Sequence, residues 1–505
     1  MKQTPMKSAS RQVRVSVKAS ILTGAAFAVG RVTAMASNLV LATVCGPTWW
    51  GVHALVRSTT ELGIVWARGG VELSAFRWIP SASSQEQSAL ALRLLSSGLL
   101  LLVFATVALT TFLFAWTAAP QHLLHLVLVI LSGVPLLFVG AIPCLVAATG
   151  RTRGLFAEQF WMPVFRLALF FAFVAFGTDV LSALAASLLL SATTIALWSA
   201  AGATSVFAWL PPYTARLPPH NVTLVETTSL GTNVALASLA ARVDVVIAAS
   251  LLSIADAGTY ALVASAASFV TFVASTAGRI FAPRLSRLLD ESKLPAAVAA
   301  LHSTKRLAFF AGTSVGLLVQ GGLLFLLPIV GFRYDLDVSL AIAVLTLSFA
   351  LAGGYGNSGY MLSIRGHAHE ERIVLLVYAI SFVIACMIGA LSGWLTGIAL
   401  GCLISTSLML FLRDRRITKL YEYSISITGR IAWWRVAAGA IIAGGLFPTI
   451  FVLTAQTGIA TLIGVSAVSY IASLALMLPL LTLSKDRRRL QAMARRKIRR
   501  SASLS

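Results

Sequence analysis

Apolar residues run through this chain in blocks of helix-spanning length, separated by short polar or basic segments. A helix needs about 20 residues to cross the hydrocarbon core of a bilayer. At a window of that length six blocks precede residue 210, at 20–45, 49–68, 90–116, 122–148, 154–177 and 179–209. Pro211, Pro212, Pro218 and Pro219 then interrupt the pattern, and proline lacks the amide hydrogen that a helix interior needs. Residues 210–223 therefore read as a linker. Six more blocks follow at 224–252, 257–281, 305–330, 337–364, 372–391 and 393–412, then a polar stretch at 413–432 and two last blocks at 433–455 and 458–483. The pattern predicts an all-α polytopic membrane protein of about fourteen transmembrane helices: two six-helix lobes, 20–209 and 224–412, and an added pair within 433–483.

Composition agrees, with 58% hydrophobic and 11% charged residues against about 25% charged in a soluble domain. A soluble enzyme is excluded. The 39 Lys and Arg against 17 Asp and Glu give a net charge of +22, which in a soluble chain would point to nucleic acid. In a membrane chain the placement of the cations matters more, because they collect in cytoplasmic loops. With the basic N-terminus, 1–19, inside, every inward segment carries Lys or Arg, among them Arg68, Arg93, Arg151, Arg216, Arg284, Arg372 and Arg415, whereas the outward loops together hold only Arg333. Both termini are therefore expected in the cytoplasm. The basic tail, 484–505, with Arg487, Arg488, Arg489, Arg495, Arg496 and Lys497, suits anionic lipid rather than nucleic acid. The first apolar block is too long for a signal-peptide core and reads as a retained helix. Trp49, Trp50, Trp116, Trp209, Trp394, Trp433 and Trp434 fall at block ends and read as interfacial anchors. Cys45, Cys144, Cys386 and Cys402 show no pairing or metal spacing.

The halves repeat. Val40 to Val56 aligns with Ile247 to Val263 at an offset of 207 without gaps, matching Gly51 to Gly258 and Ala54-Leu55-Val56 to Ala261-Leu262-Val263. Helices 1 and 2 thus resemble helices 7 and 8. Six spans separate them, so the repeats run parallel, as in two-lobed transporters with a site at the lobe interface.

Arg31, Gly46-Pro47, Gly51 and Arg77-Trp78-Ile79-Pro80, with Arg242-Val243-Asp244, Ala257-Gly258-Thr259-Tyr260 and Ala282-Pro283-Arg284-Leu285-Ser286, carry a resemblance to a known family. The chain resembles the polysaccharide-flippase branch of the multidrug/oligosaccharidyl-lipid/polysaccharide (MOP) exporter superfamily, which includes Wzx-type and lipid II flippases. The resemblance implies a V-shaped, MATE-like pair of lobes around a central cavity, working by alternating access. It further implies a polyprenyl-diphosphate-linked glycan as substrate, a bacterial plasma membrane, polysaccharide-assembly partners, no cofactor, and coupling to a proton or sodium gradient.

An ionisable side chain at bilayer depth needs a partner or a watery cavity and marks a functional site by default. The candidates are Arg31 in helix 1, Arg57 and Glu61 in helix 2, Arg166 in helix 5, and Arg242 with Asp244 in helix 7. Cavity arginines would hold a diphosphate, since guanidinium forks match phosphate oxygens and stay charged out of water. The resemblance places Arg31, Arg57 and Arg242 where family members hold the anionic headgroup. Arg57 and Glu61, one helical turn apart, also suit a local ion pair, whereas Arg242 and Asp244, two apart, point to different faces. Glu61 and Asp244 are the carboxylates available for ion coupling, or for service as counter-ions.

Three functions are compatible with this pattern. A flippase for a lipid-linked oligosaccharide needs a cationic cavity, and four arginines against two acids supply one. A drug or organic-cation antiporter of the same superfamily would show the opposite sign. A membrane glycosyltransferase or polymerase would present catalytic acids outside, where Asp179, Asp256, Asp335 and Asp337 are the only ones available. His367-Ala368-His369-Glu370-Glu371 reads as a solvated loop rather than a metal cluster, and Gly353 to Gly359 as a place where helices approach closely.

Overall fold

The computed structural model describes residues 6–79, 84–116, 123–149, 160–204, 220–239, 242–271, 294–329, 331–332, 335–364 and 368–421. Among them the chain is helical throughout, with no strand. In order, the helices are α1 (Met6–Trp78), α2 (Ser84–Trp116), α3 (Leu123–Leu131), α4 (Gly133–Ala148), α5 (Met162–Ala175), α6 (Val180–Ala203), α7 (His220–Leu239), α8 (Val243–Leu251), α9 (Ile254–Ala267), α10 (Leu294–Ile329), α11 (Leu336–Ile364), α12 (Ala368–Ala390) and α13 (Leu395–Tyr421).

Eight helices among the described residues are long and apolar enough to cross a bilayer, and nine if α7 and α8 form one bent span. The apolar stretch of α1, Val32–Ala75, is 44 residues long, or about 66 Å at 1.5 Å per residue, more than twice the thickness of a hydrocarbon core. It cannot be one crossing. It breaks at Gly46 (φ 73, ψ 168), followed by Pro47, a backbone conformation open in practice only to glycine. Asn38 and His53, on opposite sides of this break, are both hydrogen-bonded by the guanidinium of Arg166. On a straight helix they would stand about 22 Å apart, so the two arms of α1 fold toward each other about Gly46. These arms are the first two apolar blocks. The third block is α2, the fourth α3 with α4, the fifth and sixth α5 and α6, the seventh α7 with α8, and the eighth to twelfth α9 to α13. The blocks at 433–455 and 458–483, most of the linker, and the tail lie outside the described residues.

Helices reach beyond the apolar blocks at several places. α1 starts at Met6, inside the basic N-terminal segment, and α7 at His220, inside the linker. α13 continues past 412 to Tyr421, because Arg413 is buried against Glu371 of α12 and Arg416 reaches Glu370 at 2.9 Å. The His367 to Glu371 segment is therefore not a solvated loop: from Ala368 onward it is the first turn of α12, with Glu371 buried. Gly359 lets α11 approach this pair, as a Cβ there would lie 2.9 Å from Glu371 Oε1. Trp50 is likewise no interfacial anchor, being buried beside His53, whereas Trp49 and Trp394 are exposed.

The main core joins Leu41, Trp50 and Ala54 of α1 to Phe170 of α5, Tyr260 of α9, Leu345 of α11, Phe382 of α12 and Cys402 of α13. A second cluster packs the far half of α1, from Ile64 to Ala75, and the adjoining Ile79 on α2 and α4. Outward-facing Phe104, Val107, Ile388, Ile404 and Phe411 are exposed, as side chains solvated by lipid must be. The chain is an all-α, multi-pass membrane protein.

The internal repeat has a counterpart in space. A Cβ on Gly51 would lie 2.0 Å from the carbonyl oxygen of Ile254, and one on Gly258 would lie 2.0 Å from that of Pro47. Pro47 and Ile254 are themselves equivalent at the offset of 207. Each glycine thus packs on the partner of its own repeat neighbour, the reciprocal contact of a two-fold interface. Three carboxylates cap helices, and a fourth lies beside a serine cap. Asp179 accepts from Ser182 N at 2.9 Å, Asp256 closes a box with Ser253, Asp335 accepts from Val338 N at 3.0 Å, and Asp337 accepts from Leu395 N and Thr396 N at 2.9 and 2.8 Å. Asp179, Asp335 and Asp337 satisfy helix-end amides that have no intrahelical partner, whereas at α9 the cap is Ser253, whose hydroxyl accepts from Asp256 N and donates to the Asp256 carboxylate.

Candidate functional site

The second arm of α1 carries His53, Arg57 and Glu61 at successive four-residue steps, which puts all three on one face. Arg57 Nε donates to Glu61 Oε1 at 2.6 Å. The other carboxylate oxygen, Oε2, lies 2.5 Å from Arg242 Nη2, a residue of the second lobe. Glu61 therefore holds one arginine from each lobe. Arg242 reaches it because the seventh span is broken: α7 and α8 meet at a 45° bend, and Arg242 sits at the break with φ −138 and ψ −39.

Arg166 of α5 is buried. Its Nη2 is 2.9 Å from His53 Nε2, its Nη1 donates to Asn38 Oδ1 at 3.4 Å, and its Nε has no hydrogen-bond partner among the described residues. Arg166 also lies within electrostatic reach of Arg57 and Glu61. The structure thus brings together three of the predicted arginines, Arg57, Arg166 and Arg242, around the single carboxylate of Glu61. The side chain of Arg31 lies outside the described residues.

Asp244 is placed elsewhere. It is buried within the second lobe, accepting from Val245 N at 2.9 Å and from Tyr260 Oη at 3.0 Å. Tyr260 Oη in turn lies 3.5 Å from Cys402 Sγ, which is 3.7 Å from Cys386 Sγ. Arg242 and Asp244 do face different ways, and the two cysteines that lacked any pairing pattern prove to be neighbours on α12 and α13.

Sequence reading missed His53, His125 and Asn38. His53 Nδ1 lies 3.1 Å from His125 Nε2, and Trp50 stacks near His53 with ring centroids 5.8 Å apart. The four-residue step from His53 to Arg57 was a usable signal. The pairing with His125 of α3, 72 positions away, had none.

Inter-lobe contacts bracket this cluster. On one side are the paired glycines, Gly51 and Gly258. On the other, α7 packs on the far part of α1 through Trp66 Nε1 to Thr232 Oγ1 at 3.3 Å and Trp78 Nε1 to Glu226 Oε2 at 2.9 Å. A Cβ on Gly70 would lie 2.3 Å from Thr227 O, so glycine permits the approach. Among the described residues no group of three or more His, Cys, Asp and Glu side chains is arranged to hold a metal ion.

No family model matches the chain, and no curated protein sequence matches it. Solved structures do. The lipid II flippase MurJ in an inward closed conformation superposes with a TM-score of 0.59 at 13% identity, covering 90% of this chain and 98% of that one. An outward-facing multidrug resistance MATE family transporter of the MOP superfamily gives 0.55 at 15% identity, covering 82% and 96%. A MATE transporter of Vibrio cholerae, VcmN, gives 0.57 at 13%, covering 80% and 98%. The chain has the polytopic helical fold shared by MATE transporters and the MurJ flippase.

Proposed function

We propose that this protein is a flippase that carries a polyprenyl-diphosphate-linked oligosaccharide from the inner to the outer leaflet of a bacterial plasma membrane by alternating access, serving cell-surface polysaccharide assembly. The observation that carries this reading is the sign of the inter-lobe cluster: among the described residues, three guanidiniums stand against one carboxylate, and Arg166 Nε is a buried donor without an acceptor. Such a cluster lacks negative charge, and a diphosphate supplies it through oxygens that match the guanidinium fork. Glu61 serves as the counter-ion that keeps Arg57 and Arg242 together until the headgroup replaces it. Arg31 joins them from the first arm of α1, and Asp244 supports the broken span from within the second lobe, away from the headgroup. Both termini are cytoplasmic, the basic tail rests on anionic lipid, and a proton or sodium gradient supplies the drive.

The MurJ flippase takes in a larger share of this chain than the MATE transporters do, 90% against 80–82%, which supports a lipid-linked substrate. An organic-cation antiporter would need the opposite charge at the cluster. Against the glycosyltransferase reading, Asp179, Asp335 and Asp337 are engaged as helix caps and Asp256 accepts from the Ser253 hydroxyl. Binding separates the first two readings. Undecaprenyl diphosphate should raise the unfolding temperature of the detergent-solubilised protein, and ethidium should not; the reverse pattern removes the flippase reading.

A further inference from the structure

The chain of polar groups behind Arg166 has a fixed direction. A guanidinium only donates hydrogen bonds, so His53 Nε2, 2.9 Å from Arg166 Nη2, must be the acceptor and carries no proton. A neutral imidazole then has its hydrogen on Nδ1, which donates to His125 Nε2 at 3.1 Å. The bond that holds Arg166 in place thus requires His53 to be neutral. We propose that His53 is a proton-binding site at which a proton and Arg166 compete, so that protonation releases Arg166 to the substrate and protons and an anionic headgroup bind together.

The step balances simply. A hydronium ion gives its proton to Nε2 of His53 and leaves as water, an N–H bond forms, and the Arg166 Nη2 to Nε2 hydrogen bond is lost. The Nδ1–H bond to His125 is untouched, so the imidazolium remains anchored to α3. Arg166, left among the described residues with only the 3.4 Å bond to Asn38, then presents a guanidinium with most of its donors open. The added charge would be repelled by Arg57 and Arg166, and a diphosphate is the group that relieves it.

Every element around His53 contributes to this balance. Its own arm brings Arg57 and Glu61, the other arm Cys45 and Asn38, α5 Arg166, α3 His125, and the α8 break Arg242. Asp179, at the start of α6, is within electrostatic reach of His125. Among the described residues Glu61 is the only acid within the cluster itself, and it is already engaged by two arginines. Coupling between sites is reciprocal, so the same competition makes headgroup binding favour proton uptake. The identity of the anion rests on the flippase reading above; the proton site does not.

Trp50, 5.8 Å from His53, is the reporter, since an imidazolium quenches a neighbouring indole. Tryptophan fluorescence of the purified full chain is titrated from pH 5 to 8, with and without undecaprenyl diphosphate, for the wild type and for His53→Gln. Glutamine retains both hydrogen bonds, accepting from Arg166 and donating to His125, but does not titrate. The expected result is a quench on acidification that is lost in His53→Gln, with its midpoint raised by about one unit when the lipid is bound, a roughly tenfold coupling. Lipid affinity measured separately should then fall about tenfold more from pH 6 to pH 8 in the wild type than in the variant, which removes the lipid's own ionisation from the comparison. Absence of a His53-dependent quench overturns the proposal, and so does a midpoint unmoved by lipid that demonstrably binds. A His53-dependent quench with no lipid binding at any pH keeps the proton site and removes the flippase reading instead.

Discussion

Gly51 and Gly258 each lie against the backbone carbonyl of the residue four positions before the other, Ile254 and Pro47, at a separation that leaves no room for a Cβ. They are the repeat-equivalent residues of the two lobes, so one close approach is made twice about a two-fold axis. Close backbone contacts of this kind join membrane helices by packing and weak Cα–H to oxygen bonds.

A side chain at either glycine must separate the lobes there. Gly51→Val is expected to widen the distance between spin labels at Trp49→Cys and Ile254→Cys by several Å, roughly the width of the inserted side chain. The distribution in Gly258→Val should shift in the same sense. An unchanged distance in both variants would show that this contact does not hold the end closed.

Removing the carboxylate of Glu61 leaves Arg57 and Arg242 facing each other. Because these arginines are partly exposed, with side-chain exposures of 28% and 36%, the cost falls between that of a surface pair and that of a buried one, about 1–3 kcal/mol. Glu61→Gln should therefore unfold at lower temperature in detergent, and millimolar inorganic diphosphate should restore more stability to it than to the wild type. A variant as stable as the wild type and indifferent to diphosphate would argue against Glu61 as the counter-ion.

Tyr260 donates to the buried carboxylate of Asp244. Tyr260→Phe takes away that donor and costs about 1–3 kcal/mol, and Asp244→Asn should recover part of the loss in the double variant. Denaturant unfolding of the four proteins in detergent reads this coupling; strict additivity would mean that the two side chains do not support each other.

Asp179 is held below the usual aspartate value of 3.8, chiefly by the backbone amide of Ser182. Its folded-state value is depressed, so the cap contributes stability above the unfolded value and loses it as pH falls through the folded one. Asp179→Ala should cost about 1 kcal/mol at neutral pH and progressively less as the pH drops below 4. A difference between wild type and variant that is independent of pH would contradict the capping role.

Much of the fold was legible because bilayer crossing imposes a length on apolar runs. Each of the first twelve blocks overlaps a described helix, and the gap between the blocks at 20–45 and 49–68 falls at the Gly46-Pro47 break of α1. Helix ends were less legible. Hydropathy ended α13 near residue 412, but Arg413 pairs with a buried Glu371 in another helix, and no local pattern encodes that partner. The arginines of the site were found because charge at bilayer depth is rare. Asp244 shared that rarity and yet faces Tyr260, since a two-residue step along a helix turns a side chain to another face. His53 and His125 escaped notice because neutral imidazoles among apolar residues leave no charge signature, and their pairing depends on tertiary structure alone. Trp50, one residue from the exposed Trp49, was buried for the same reason: block ends locate an interface, not the face on which a side chain falls.

Transport itself tests the central claim most directly. Reconstituted into proteoliposomes with a fluorescent undecaprenyl-diphosphate glycan, the wild type should move the lipid between leaflets. Arg57→Ala, Arg166→Ala and Arg242→Ala, each shown to be folded, should slow that movement by about tenfold or more, the scale of losing a charge-assisted phosphate contact. Absence of lipid movement by the wild type, accompanied by efflux of organic cations, would contradict the account.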